Sequence, residues 1–226
     1  MIPFIDITAN FPPIEEALTE PDGLLAWGED LSFKHLIQAY RQGIFPWYSL
    51  DDPIFWWSPS ARGVFYPEKF KPARSLRKYQ RKVNFTLSFD KATSQIIHLC
   101  ASTRGPDETW ITDEMQAAYI GLAQRGYCHS VEVWDKEELV GGLYGLIIGS
   151  IFCGESMVSL KDNASKIALW WLCEHFSRAG GKLIDCQMMN PHLASLGAQP
   201  LPRKNFKILL EKWRNEDIDL QSIISD

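Results

Sequence analysis

Phe152-Cys-Gly-Glu-Ser-Met157 and Leu183-Ile-Asp-Cys-Gln187, with an apolar helical pattern over residues 164–176 between them, decide how this chain is read. Both segments set a polar or charged group inside a run that otherwise predicts a buried β-strand. Strand side chains alternate, so Leu183, Asp185 and Gln187 are expected on one face and Ile184, Cys186 and Met188 on the other. A carboxylate in such a strand needs partners or a polar cleft. Taken alone, Asp185 has two readings: a buried acid satisfied by backbone or a basic side chain, or a member of a site. The second polar strand, carrying Glu155, weighs toward a site.

Outward from this core, strands are expected over 151–158 and 182–189, flanking a helix over 164–179 that stops at Gly180-Gly181. Upstream, residues 129–134 and 139–148 read as two hairpin strands joined by the polar turn Asp135-Lys-Glu-Glu138. Thr112 precedes Asp113-Glu114 and is an expected N-cap of a helix that ends at Gly126. A strand over 84–89 leads to a helix near 91–101, and a last helix covers 203–214. The acidic tail is weakly patterned and is expected to fray.

The chain has 226 residues, enough for one large domain or a domain plus a small one. Its net charge of −5 gives no general reason for nucleic-acid binding, so any such contact needs a local patch. No apolar run approaches the roughly 18 residues of a membrane span, and the N-terminus lacks a basic and apolar signal pattern. Five cysteines, without a C-x-x-C pair and mostly in apolar runs, suit buried thiols of a cytoplasmic protein. The five histidines lack ligand spacing, so no metal is expected.

Residues 1–62 are rich in Pro, Gly and aromatics, with one amphipathic helix over 31–42 stopped by Gly43. The pattern changes at Gly63, where residues 64–66 read as a strand. Trp47, Trp56 and Trp57 lie in this Pro-rich part; they form either the core of a small domain or a platform for a stacked ring. Arg74, Arg77, Lys78 and Arg81 recur at helical spacing with no acid between residues 71 and 82. That stripe is either a solvated helix face or a contact for a phosphate backbone.

The succession of strands, helix, strand and closing helix has the layout of GNAT-type N-acyltransferases, an α/β (α+β) class. The Gly-rich pyrophosphate loop of acetyl-CoA users is not found; Ser159-Leu-Lys-Asp-Asn-Ala-Ser165 stands there instead. The chain further resembles the leucyl/phenylalanyl-tRNA–protein transferase family. The stretches that carry this are Pro21-Asp-Gly-Leu-Leu-Ala-Trp-Gly28, Gly43-Ile-Phe-Pro-Trp47, Phe55-Trp-Trp-Ser-Pro59 and Thr109-Trp-Ile-Thr112. The two strands quoted above, Asn163-Ala-Ser-Lys166 and Ala194-Ser-Leu-Gly-Ala198 complete the series, in order over roughly residues 20–200.

The resemblance implies a small N-terminal domain (1–62) and a GNAT-like catalytic domain (63–226). It implies transfer of Leu or Phe, with Met as a further candidate, from aminoacyl-tRNA to the N-terminal Arg or Lys of a protein, marking it for degradation. By the same resemblance, Trp47 and Trp110 hold the terminal adenosine, and Asp185, Gln187 and Glu155 serve catalysis. Leu143, Phe152, Met157, Leu169 and Leu172 are expected to receive the transferred side chain, and Arg74, Arg77, Lys78 and Arg81 to contact the acceptor stem. The chemistry would be aminolysis of an already activated ester, so no cofactor, ATP or metal is implied. Gln187 is a very weak base and reads as an acceptor that aims the amine; Asp185 or a ribose hydroxyl is the better proton acceptor. Glu155 would orient the transferred residue's amine or meet the acceptor's basic side chain, or else is a structural acid. Two other classes stay open at this point: a CoA-dependent GNAT acetyltransferase and a non-catalytic tRNA-binding module.

Overall fold

The computed structural model describes residues 2–6, 8, 10–103 and 110–224. Among them, strands β1 (Phe4–Ile5), β2 (Leu24–Gly28), β3 (Phe45–Pro46) and β4 (Ile54–Trp57) form a small sheet in the order β1-β2-β4-β3. A larger sheet contains β5 (Ala61–Phe65), β6 (Thr86–Phe89), β7 (Cys128–Asp135), β8 (Glu138–Ile148), β9 (Ile151–Ser159), β10 (Leu183–Asp185) and β11 (Gln199–Pro202). Its order is β11-β5-β10-β9-β8-β7-β6. The helices are α1 (Phe33–Tyr40), α2 (Arg74–Val83), α3 (Thr93–Ser102), α4 (Asp113–Ala123), α5 (Ala164–Arg178), α6 (Pro191–Ser195), α7 (Arg203–Trp213) and α8 (Leu220–Ile224).

Strands β7, β8 and β9 run antiparallel, and β7 and β8 are buried on both faces over most of their length. Period 2 sorts their residues: Leu143 joins the cluster under α5, with Ile167, Leu172 and Phe176. Tyr144 and Leu146 join the opposite cluster with Ile96 of α3, Met115 and Tyr119 of α4, and Leu25 and Trp56 of the small sheet. One apolar cluster thus runs from the N-terminal sheet into the larger one. β9 and β10 pair in parallel, which two strands joined through a helix can do and a tight hairpin cannot. The strand–helix–strand unit read from the sequence is therefore present, with α5 as the crossover.

Thr112 caps α4 by accepting from the Met115 amide at 3.2 Å, as its position predicts. Two expectations are corrected. The strand expected over 182–189 ends at Asp185, and Gln187 takes a left-handed conformation with φ 58°. The face-sharing argument for Asp185 and Gln187 therefore does not hold, since alternation stops between them. The tail does not simply fray: α8 forms and Ile223 is buried, packed into the cluster under α5. Sequence reading also passed over β1 to β4, α6 and β11, elements of two to five residues that offer periodicity too few turns to register.

Candidate active site

A cavity of about 290 Å³ opens where β9 and β10 meet α5, α6 and the Phe45-Pro-Trp47 turn. Its apolar wall contains Leu143, Phe152, Met157, Leu169 and Leu172, the five residues expected to form a side-chain pocket. Its rim carries Trp47 and Trp110, and its polar wall carries Glu155 and Gln187. Gly145 allows this shape: a Cβ there would sit 2.6 Å from the Phe152 ring and 2.2 Å from the Cys153 carbonyl.

Glu155 owes its direction to a β-bulge. Tyr144 pairs with Ser156 and Gly145 with Gly154, which leaves Glu155 as the extra residue of β9. Its carboxyl reaches two buried hydroxyls: Tyr40 of α1 lies 2.7 Å from Oε1 and Tyr119 of α4 lies 3.1 Å from Oε2. The two hydroxyls are themselves 2.5 Å apart. Burial pushes the Glu155 carboxyl up from 4.5 to about 7 and the Asp185 charge adds to the rise; Arg62 opposes it, as do the two tyrosine hydroxyls wherever they donate to an ionised carboxylate.

Gln187 donates from Nε2 to Glu155 Oε1 at 3.4 Å, and its backbone N–H donates to Asp185 Oδ1 at 3.0 Å. Asp185 is fully buried in the wall behind the cavity and does not line it. Arg62 of β5 grips it with two contacts, Nε to Oδ1 at 3.1 Å and Nη2 to Oδ2. The guanidinium also donates to the Gly43 carbonyl at 3.1 Å and lies between the rings of Phe45 and Phe206 at 5.0 and 4.5 Å. Gly43 supplies that carbonyl from a turn with φ 79°, a conformation glycine takes without strain. Of the two readings open for Asp185, the basic partner is present, and the residue whose backbone amide it also holds, Gln187, lines the cavity.

Trp47 is exposed, T-stacked on Trp57 at 5.6 Å, and accepts at its carbonyl from Trp57 Nε1 at 2.7 Å. Trp110 is half-buried at the same rim. Trp56, by contrast, is fully buried core, and Trp57 packs partly buried against the same cluster. Thr109 of the Thr109-Trp-Ile-Thr112 stretch lies outside the described residues. Arg74, Arg77, Lys78 and Arg81 all stand exposed on α2, while Leu76 turns inward. A second hollow, lined by Lys71, Ser75, Asn163 and Lys166, adjoins this helix and shares α6 with the main cavity.

Sequence reasoning missed Arg62, Tyr40 and Tyr119. Arg62 sits in an apolar run beside the assigned boundary, and a lone arginine among strand residues was the available signal. Tyr40 and Tyr119 fall at helical positions that read as ordinary core. His192 and Asn190 of the α6 region also line the cavity and carried no motif. Among the described residues, no group of three or more His, Cys, Asp or Glu is arranged to hold a metal, and no helix is long and apolar enough to cross a membrane.

A model of the leucyl/phenylalanyl-tRNA protein transferase family matches residues 64–211, and a model of that family's N-terminal domain matches residues 29–60. The leucyl/phenylalanyl-tRNA–protein transferase of Aliivibrio fischeri is 66% identical over 202 residues, covering 89% of this chain and 84% of that protein. That of Vibrio campbellii is 57% identical over 211 residues, covering 93% and 89%. Among solved structures, a protein of unknown function from Bacteroides thetaiotaomicron superposes with a TM-score of 0.46 at 10% identity, covering 60% of this chain and 53% of that one. That likeness is too slight to fix the fold.

Proposed function

The chain belongs to the leucyl/phenylalanyl-tRNA protein transferase family, and on that premise we propose how its cavity performs aminoacyl transfer. The protein is an aminoacyltransferase; a CoA-dependent acetyltransferase and a non-catalytic tRNA-binding module are not favoured. The donor is an aminoacyl-tRNA carrying Leu or Phe, with Met as a further candidate. The acceptor is a protein with N-terminal Arg or Lys, which the added residue marks for degradation in the cytoplasm. The carrying observation is that one cavity unites an apolar pocket, two rim tryptophans and a paired acid and amide.

Trp47 and Trp110 stack on or flank the terminal adenine, since every base offers a π face to such rings. The Leu or Phe side chain enters between Leu143, Phe152, Met157, Leu169 and Leu172. The ester carbonyl then lies near Gln187 and Glu155. The attacking α-amine, with a reference pKa of about 7.7–8.0, is substantially neutral near pH 7 and needs aiming more than activation. With Gln187 Nε2 on Glu155, its carbonyl oxygen is free to accept from that amine. Asp185, neutralised by Arg62 and holding the Gln187 backbone, contributes to catalysis by fixing Gln187. The amide C–N bond forms as the ester C–O bond breaks, and the ribose hydroxyl of the departing tRNA end takes up the proton.

Arg74, Arg77, Lys78 and Arg81 contact acceptor-stem phosphates, with α6 leading from that side toward the cavity. We further assign residues 63–226 to a GNAT-like catalytic domain and 1–62 to a small N-terminal one. Support comes from the parallel β9–β10 pair flanking α5 and from the change of sheet between residues 57 and 61. The test is direct: incubate the protein with labelled Leu-tRNA and a peptide bearing N-terminal Arg. Label that becomes acid-stable supports the reading; label that stays ester-bound, with tRNA bound, overturns it.

A further inference from the structure

Glu155, Tyr40 and Tyr119 present a proton-counting problem. Three oxygen–oxygen contacts join them: 2.7 Å, 3.1 Å and, between the hydroxyls, 2.5 Å. Each contact needs one proton. If Glu155 is ionised, the two hydroxyls supply two protons for three contacts. Both donating to the carboxylate leaves two lone pairs facing across 2.5 Å; one donating to the other leaves a carboxylate oxygen unserved. A proton on Glu155 closes the account. Oε2–H then donates to Tyr119, Tyr119 to Tyr40, and Tyr40 to Oε1. Oε1 keeps a second lone pair for Gln187 Nε2 at 3.4 Å, so each short contact has one donor and one acceptor.

We propose that Tyr40, Tyr119 and Glu155 form a closed three-proton ring with Glu155 as its neutral acid, and that both tyrosines are positioning residues for transfer. The proposal rests on the transferase reading of the cavity and deepens it. A neutral Glu155 orients the Gln187 amide with its nitrogen inward and its oxygen toward the cavity. It also leaves no net charge where the amine arrives. An ionised Glu155 would instead hold that amine as an ammonium, which is not a nucleophile. The ring spans the molecule, because Tyr40 comes from α1, Tyr119 from α4 and Glu155 from the β9 bulge.

The other charged or titratable groups around it are accounted for. Asp185 of β10 and Arg62 of β5 form their own pair behind it. Cys128 of β7 and Cys153 of β9 have thiols pushed well up by burial, so both are neutral. Tyr144 of β8 packs edge-on against Tyr119 at 5.9 Å, and His192 lines the cavity from α6.

The test is isotope-edited infrared spectroscopy on protein labelled at glutamate, with Glu155→Gln identifying the band. The ring predicts a protonated carboxyl band at ~pH 6 that disappears as pH rises through about 7. Tyr119→Phe discriminates further. It removes two bonds from the neutral ring but one from the ionised form, so the midpoint moves to lower pH. If the hydroxyls are plain donors to a carboxylate, the midpoint moves up instead. In transfer assays with an aminoacyl-adenosine donor, the ratio of Glu155→Gln to parent rate rises by about tenfold per pH unit above the transition, because Gln cannot ionise. No protonated band at ~pH 6, an upward shift in Tyr119→Phe, or a flat rate ratio overturns the ring. If the band titrates as expected but no transfer from charged tRNA occurs, the ring stands and the transferase reading falls.

Discussion

Asp185→Asn separates scaffold from chemistry. The carboxylate meets Arg62 Nε at 3.1 Å, Arg62 Nη2, and the Gln187 amide at 3.0 Å, all donors. An asparagine keeps the shape but replaces one acceptor by an NH₂. Whichever way the amide turns, an N–H faces an N–H, and the fully buried guanidinium loses its counter-charge. Breaking a buried pair on one side costs about 3–5 kcal/mol, since the remaining charge stays desolvated. At roughly 2–4 °C per kcal/mol for a chain of this size, the unfolding midpoint should fall by roughly 6–20 °C. Replacing both partners by apolar residues, Arg62→Met with Asp185→Leu, should recover much of the loss, because the desolvation penalty goes with the charges.

Turnover should fall as well, measured well below the new midpoint. The Gln187 backbone has φ 58°, and its anchor shifts as residue 185 and Arg62 move apart; a displacement near 1 Å costs on the order of 10²-fold in rate. Gln187→Ala gives the contrast: a similar loss of rate with little change in unfolding midpoint. Thermal unfolding by circular dichroism and transfer to an N-terminal Arg peptide are the two readouts. An Asp185→Asn protein of unchanged midpoint that has lost turnover would refute the reasoning, because the carboxylate would then act on substrate and not on the wall.

Neutralising Arg77 and Arg81 should weaken tRNA binding and reduce its salt slope by roughly one unit per lost phosphate contact, while transfer from an aminoacyl-adenosine suffers much less; equal loss with both donors would make the stripe structural. Trp110→Ala should cost about 1–3 kcal/mol of donor binding in a titration, with the fold retained. Glu155 has a folded-state value near 7 against 4.5 unfolded, so its contribution to stability is full below 4.5 and is lost as pH rises to about 7. Denaturant unfolding should therefore show Glu155→Gln gaining about 3 kcal/mol relative to the parent between acid and ~pH 8. Ile223→Ala should destabilise by roughly 2–4 kcal/mol if the buried tail contact is as drawn, and a change below about 0.5 kcal/mol in the same assay would show that the tail does not matter.

Much of the architecture was legible because it is local. The strand–helix–strand unit announces itself through two apolar runs and one helical period, and Thr112 through its own cap chemistry. The apolar wall of the cavity was legible by resemblance, since its five residues lie on elements whose type was read correctly. Contacts that close over long sequence distances were not. Arg62 and Asp185 are separated by 123 residues, and Tyr40 and Glu155 by 115. No periodicity within a segment reports a partner that far away, and a tyrosine on an apolar helix face is indistinguishable from core until the fold brings an acid to its hydroxyl.

Two departures from strand geometry concern the site itself. Phe152 and Met157 are five residues apart, an odd spacing that regular alternation sends to opposite faces. Both nevertheless line the cavity, because the bulge at Glu155 inserts one residue and returns Met157 to the face of Phe152. Gln187 likewise enters the cavity by leaving strand geometry for the left-handed region, where a non-glycine residue is uncommon and needs its surroundings to hold it. The Glu155 and Gln187 side chains thus reach the cavity through two departures from the ladder, one within β9 and one just after β10. Asp185, which obeys the ladder, stays in the wall and holds the second departure in place through the Gln187 amide. Alternation predicts a regular strand well and for that reason points away from the residues a cleft needs; the irregularities are where the polar groups of this site are aimed.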